Sequence, residues 1–248
     1  MSARVHVLLK KEDLDGERLP GKVVIVLDVL FATTTIAAAL DAGASEVIPT
    51  LDGESALAAA CGRAEGSFVL AGELKAQTLP GFAHPTPLTL LRDAPVDGKT
   101  LIYSTTNGTV ALMKSAGAAH VYAAALVNGK AVVEHVRREH PGETVLIVCS
   151  GSVENFNLED FYGAGYLAAL FARDGEEGFT DAALAARRLH DGSAALECLR
   201  NARVGRMMLA RGLLHEVEYA AAKDSLAVVP RLHEGRLTAV RQPAFARA

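Results

Sequence analysis

Runs of apolar residues alternate with amphipathic and polar stretches along most of the chain, and their lengths predict a succession of strands and helices. Val23-Val24-Ile25-Val26-Leu27 is a continuous apolar run, the pattern of a strand covered on both faces. It runs into Asp28 and then into a helix predicted over 33–42, which Gly43 stops. Shorter apolar bursts at 5–9, 46–50, 68–71, 100–103, 120–124 and 145–149 read as further strands. Helices are predicted over 54–61, from about Thr109 to Gly117, over 131–139 and over 158–171, and 180–210 reads as mostly helical. The chain then turns strand-like at 216–220, 227–229 and 237–240. Residues 77–87 hold three of the nine prolines and are predicted to form a long ordered loop or a lid.

An internal repeat runs through this pattern. Gly21-Lys22 recurs as Gly98-Lys99, Thr35-Ile36-Ala37 matches Thr109-Val110-Ala111, and Ala42-Gly43-Ala44 matches Ala116-Gly117-Ala118. The two units, about 21–50 and 98–124, each read as strand, Thr-rich turn, helix and strand. The expected architecture is therefore a three-layer α/β fold, a sheet of repeated βαβ units flanked by helices, forming a single domain over residues 1–248. Such units are expected to bring the carboxyl ends of the strands to one sheet edge, where ligands bind.

Composition narrows the class. Half of the 248 residues are hydrophobic and the net charge is only −4, with no basic block to follow a nucleic-acid backbone. Cys61, Cys149 and Cys198 are too few and too scattered for a disulfide framework or a Cys-x-x-Cys metal site. No stretch approaches the ~20 apolar residues of a spanning helix, and the first residues lack a signal-peptide pattern. The expectation is a cytoplasmic protein with no nucleic-acid or membrane partner; a homo-oligomer stays open.

Three predicted strand ends carry the candidate chemistry. The first offers Asp28 with Thr33, Thr34 and Thr35; the second offers Thr105, Thr106, Asn107, Gly108 and Thr109; the third offers Cys149, Ser150, Gly151 and Ser152, followed by Glu159 and Asp160. Hydroxyls and a Gly-bearing turn at a helix start suit a phosphate or sulfonate, and carboxylates suit a hard divalent cation. Together they suggest metal-assisted attack on a phosphate ester. Plainer readings stand beside these: threonines as helix caps, Asn107-Gly108 as an ordinary turn, and Glu159-Asp160 as partners of a helix dipole. Asp28 resists such a reading, because a carboxylate ending an apolar strand needs a partner. Cys149 reads as a packed core thiol. No phosphate-binding Gly-rich loop, nucleophile elbow or His-x-His pair is present. His135 and His140 read as part of a solvated helix end, and His84 is the one histidine of the Pro-rich loop.

The same segments resemble the 2-phosphosulfolactate phosphatase family. The matching stretches are Ile25-Val26-Leu27-Asp28-Val29-Leu30 with Ala32-Thr33-Thr34-Thr35, Leu70-Ala71-Gly72-Glu73, Pro80-Gly81-Phe82, Ser104-Thr105-Thr106-Asn107-Gly108-Thr109, Phe156-x-Leu158-Glu159-Asp160-Phe161, and Asp224 with Val229-Pro230. The resemblance implies an α/β domain of the family's own type and Mg2+-dependent hydrolysis of 2-phosphosulfolactate to sulfolactate and phosphate. On this reading Asp28, Glu73 and Glu159 serve catalysis and, with Asp160, the metal. Thr33, Thr34, Thr35, Thr105, Thr106, Asn107, Gly108 and Thr109 hold a small anionic phosphate ester. The chain departs from the family pattern where Phe31 and Leu74 stand in place of arginines and Val204 in place of a histidine. An apolar residue at such places leads to the alternative of a descendant that binds another small ligand, with altered specificity or no catalysis. Lys75, His84 and Arg203 are the candidates to restore the missing charge.

Overall fold

A computed structural model describes residues 4–172 and 175–240. Its strands are β1 (Arg4–Leu8), β2 (Val23–Leu27), β3 (Glu46–Thr50), β4 (Phe68–Leu74), β5 (Gln77–Thr78), β6 (Thr100–Ser104), β7 (His120–Ala124), β8 (Thr144–Cys149), β9 (Pro230–His233) and β10 (Arg236–Ala239). Its α-helices are α1 (Ala32–Asp41), α2 (Gly53–Ala60), α3 (Pro87–Asp93), α4 (Gly108–Lys114), α5 (Gly129–Glu139), α6 (Leu158–Phe171), α7 (Asp181–Asp191), α8 (Ala195–Asn201), α9 (Arg203–Ala210) and α10 (Leu214–Ala221). The strands form one mixed sheet in the order β1-β8-β2-β7-β9-β10-β3-β6-β4-β5. Helices cover both faces, giving the three-layer α/β architecture. One core joins α5, α6, α7 and α8 to β2, β7 and β8; the other joins α1 and α4 to β2, β3, β6 and β7. Each fully buried valine or leucine of β2 stabilises the fold by about 1.5–3 kcal/mol relative to leaving it exposed.

Strand direction departs from the expected single edge. The pairings β7–β9, β9–β10 and β10–β3 are all antiparallel. Hence β3, β6 and β4 run opposite to β1, β8, β2 and β7, each group being parallel within itself. In a flat sheet the ends of β2 and β6 would lie on opposite edges, five strand positions or roughly 24 Å apart. Yet the first residues of α1 and α4 touch: a Cβ on Gly108 would collide with that of Ala32. The sheet therefore curls around α1 and α4. This is why α1, with its small residues, is buried from Ala32 through Leu40.

Two other segments differ from expectation. Residues 216–220 are helical, in α10, which buries Glu216, Val217 and Ala220 along one face, and Glu216 is a buried cap of another helix. Its carboxylate accepts the N–H groups of Leu88 and Thr89 and the hydroxyls of Thr86 and Thr89 at the start of α3. The Pro-rich stretch is not a free lid. It begins as the β4–β5 hairpin, Ala83 bonds back to Leu70 and Gly72 on β4, and Pro87 opens α3. Residues 227–229 lie just before β9 and outside it, although Val229 accepts a hydrogen bond from Val240.

Candidate active site

Asp28 leaves β2 where the chain turns into α1, and the three threonines build that turn. The Thr33 hydroxyl bridges the backbone N–H and C=O of Asp28, each at 3.0 Å. Thr34 donates to the Val29 carbonyl at 2.8 Å, and Thr35 donates to the Pro85 carbonyl at 2.9 Å. All three hydroxyls are turned to backbone, so they shape the site rather than face a ligand. The Asp28 carboxylate is buried, and burial together with the nearby Glu73 raises its pKa from the ordinary 3.8 to about 6. The N–H groups of Ala32, Phe31 and Gly108 oppose that shift. Gly108 is required here, since a Cβ would sit 2.5 Å from Asp28 Oδ2.

The second strand end is organised around Glu73, also buried. Its Oε1 accepts the Thr106 N–H at 2.7 Å, and its Oε2 accepts the Thr106 hydroxyl at 3.1 Å and the Ala76 N–H at 2.5 Å. Lys75 and Ala76, the two central residues of the β4–β5 turn, both have left-handed backbone, with φ of 50° and 61°. Such turns favour asparagine and glycine, so the turn is strained and the Thr106 and Glu73 bonds hold it. Thr105 and Thr109 bond to each other's backbone and, like the first three threonines, present no hydroxyl to solvent. Asn107 Oδ1 accepts Lys11 Nζ at 2.9 Å and the Val153 N–H at 3.3 Å.

At the third strand end, Asp160 spans the β2 and β8 exits. It accepts the N–H groups of Val29 at 2.9 Å and Gly151 at 3.1 Å. Burial and the adjacent Asp28 and Glu159 push its pKa well up. Glu159 is 1% exposed, and neither carboxylate oxygen has a hydrogen-bond partner apart from the approach of its own backbone N–H. Burial raises its pKa to about 7. The Ser150 hydroxyl is likewise buried and unpartnered. Cys149 is a buried thiol whose pKa burial pushes well up, as expected of a core residue.

These ends open onto a cavity of about 380 Å3. Asp28 and Glu73 supply its acids, Lys75 and Arg203 its bases, and Phe31 and Met207 an apolar wall. Thr106 and Asn107 also line it. Two of the three expected charge donors, Lys75 and Arg203, thus reach the cavity, and Phe31 is on its wall. Leu74 is 57% exposed and off the lining, because it alternates outward on β4 while Glu73 points in. His84 lies in an adjoining cavity of about 160 Å3 that shares Phe31, Ala76 and Met207 with the first.

A family model described as 2-phosphosulpholactate phosphatase matches residues 8–235, a span that includes every strand end just described. The chain belongs to the 2-phosphosulfolactate phosphatase family. Among similar proteins, one of Symbiobacterium thermophilum is 36% identical over 90% of this chain and 96% of its own length. One of Clostridium tetani is 30% identical over 93% of this chain and 98% of its own, and one of Deinococcus radiodurans is 35% identical over 86% and 88%. All three carry the name "Probable 2-phosphosulfolactate phosphatase".

Within this family site, sequence reasoning missed Lys11 and Asn157. Lys11 is buried behind Asn107, and Asn157 lines the cavity while accepting Arg203 Nη2 at 3.4 Å. It also misjudged His135 and His140, which are buried rather than solvated. The Tyr122 hydroxyl bonds to Nε2 of His135 at 3.1 Å and of His140 at 2.8 Å. Among the described residues, the one group of three with metal-ligand spacing is His120, His140 and Glu143, at the opposite end of β7. Its two imidazoles are stacked 3.8 Å apart at 22°. Nearly parallel rings aim their in-plane lone pairs past one another, so this is a packed pair and a poor chelate. No helix among the described residues is long and apolar enough to cross a membrane.

Proposed function

We propose that the protein is a Mg2+-dependent phosphatase acting on 2-phosphosulfolactate or a closely related phospho-hydroxy acid. The observation that carries this reading is the pair of buried, under-compensated carboxylates Asp28 and Glu159, with the hydrogen-bonded Glu73 near Asp28, beside a cavity that also holds Lys75 and Arg203. Buried carboxylates with raised pKa values, one with both oxygens unpartnered, are the condition that a hard divalent cation relieves. The donor set fits Mg2+ in kind, being all oxygen. Among the described residues these three carboxylates are not drawn together within 4.8 Å, so they do not form a three-carboxylate chelate, and the ion would rest on one or two of them with waters completing its shell. Asp28 is the leading ligand, with Glu73 or Glu159 as its partner. Asp160, whose two oxygens already hold Val29 and Gly151, serves better as the strap between strand ends.

Bound there, Mg2+ would polarise the phosphoryl group and lower the pKa of a water. The chain's own residues have separate tasks. Lys75, Arg203 and Asn107 bind the anionic oxygens of the ester, and the Thr-rich turns keep the Asp28 and Thr106 backbone in place. Hydrolysis transfers the phosphoryl group to water: a new P–O bond forms to the water oxygen, the bond between phosphorus and the ester oxygen breaks, and the departing alkoxide takes the proton that the water gives up.

The name carried by the relatives points to 2-phosphosulfolactate, and the apolar Phe31 wall favours a second reading, a related phosphate ester with a less charged tail. Mg2+-stimulated phosphate release from 2-phosphosulfolactate, 2-phospholactate and 2-phosphoglycerate separates these. Release from none of them, with or without Mg2+, overturns the enzymatic reading.

A further inference from the structure

Asn107 lines the cavity, and its amide orientation is dictated by its neighbours. Oδ1 faces two groups that can only donate, the Lys11 ammonium at 2.9 Å and the Val153 N–H at 3.3 Å. The atom on that side must be the oxygen. Nδ2 is then left as a donor with no partner among the described residues, on a side chain that lines the cavity. Lys11 comes from a short 3-10 turn (Lys11–Asp13) that is 96 residues away in sequence, and only 6% of it is exposed. Its ammonium is saturated: besides Asn107 it meets the Ser150 carbonyl at 3.4 Å and Glu12 Oε1 at 3.0 Å. With Glu12 offsetting its charge, Lys11 is poorly placed to attract an anion by its own field and well placed to fix a neighbouring amide.

We propose that Lys11 is a positioning residue for phosphate binding, holding the Asn107 amide so that its Nδ2 hydrogens meet an oxygen of the bound phosphoryl group. The inference rests on the phosphatase reading in that the cavity takes a phosphate. Phosphate oxygens are acceptors only, so an amide turned the other way would present Oδ1 and repel them. Lys11 also ties three strand exits together, since Asn107 follows β6, Ser150 follows β8, and Lys11 itself follows β1.

The test is the affinity for inorganic phosphate, measured by titration calorimetry on the full chain with Mg2+ present, in a mutant cycle of Lys11 and Asn107. Lys11→Met is expected to weaken phosphate about tenfold, and Lys11→Arg, which keeps the donor, to restore most of the loss. Lys11→Gln, a neutral donor, guards against a Met variant that folds poorly and is expected to retain more affinity than Lys11→Met. In an Asn107→Ala background, Lys11→Met should weaken binding less than about twofold further. An equal loss in both backgrounds would show that Lys11 acts through its own charge and overturn the proposal. So would unchanged affinity in Lys11→Met and Lys11→Gln, or a wild-type protein that binds no phosphate. A protein that follows the expected cycle but hydrolyses no ester supports this inference and overturns the phosphatase reading.

Discussion

Gly108 and Asp28 are packed so closely that any side chain on the first would strike the second: a Cβ at Gly108 would stand 2.5 Å from Asp28 Oδ2. This contact joins the two halves of the site, because Asp28 ends β2 and Gly108 begins α4, after β6. It exists only because the sheet curls around α1 and α4. Gly108→Ala is therefore expected to destabilise the protein by about 1–3 kcal/mol, the usual cost of overpacking, and to lower activity far more than an exposed Gly→Ala change such as Gly16→Ala. Thermal unfolding and steady-state kinetics on the two variants check this.

Glu159 brings a stability cost that grows with pH. Its pKa is raised from the ordinary 4.5 to about 7 in the folded protein, so between those values the folded state binds more protons than the unfolded one. Stability is then greatest at low pH and falls as pH rises through about 7. Glu159→Gln removes this term. Without metal, the variant should gain on wild type between pH 5 and pH 8, by something on the order of 2–3 kcal/mol at most. Unfolding curves at the two pH values in EDTA read the difference. Added Mg2+ should raise the melting temperature of wild type at pH 8 more than that of the variant.

How much of this was legible beforehand depends on where each interaction lies along the chain. Asp28 at the end of an apolar strand, and Glu159 opening a long helix, announce themselves locally, and the α6 boundaries follow from the apolar run. The threonines were legible as a site but not in their role; Thr33–Thr35 use their hydroxyls on the Asp28, Val29 and Pro85 backbone, a geometry that composition does not express. The reversal of β3, β6 and β4 depends on the β9–β10 hairpin, about two hundred residues beyond β2, which separates two parallel groups. Lys11 and Glu216 act across 96 and about 130 residues, on Asn107 and on the start of α3. Local propensity reads Glu216 as part of a strand-like alternation because the cap it provides lies in another segment.

The β4–β5 turn stores strain that glycine would relieve. Left-handed backbone costs a residue with a Cβ about 1–2 kcal/mol, offset in part by the extra freedom that glycine has when unfolded. Ala76→Gly is expected to stabilise the protein by a few tenths to about 1 kcal/mol, with Glu73 and Thr106 still clamping the turn. A denaturation midpoint below that of wild type would contradict this.

Phe31 is the wall residue through which specificity can be changed. Phe31→Arg adds a guanidinium to a cavity already lined by Lys75 and Arg203, and one charge-assisted hydrogen bond contributes about 1.5–3 kcal/mol. KM for 2-phosphosulfolactate should fall about tenfold, while KM for an ester with an uncharged tail should not improve. Equal changes for both esters would show that Phe31 does not face the distal group.

The central claim is that the carboxylate at the end of β2 supports metal-dependent phosphate release, and Asp28→Asn tests it most directly. The substitution keeps the shape of the side chain and removes its charge. Phosphate release from 2-phosphosulfolactate, followed by phosphorus NMR with Mg2+ and with EDTA, should be rapid for wild type only with Mg2+ and should fall roughly 10²–10⁴-fold in Asp28→Asn. Release by wild type that is indifferent to EDTA, or an Asp28→Asn variant that matches wild type, would contradict the account.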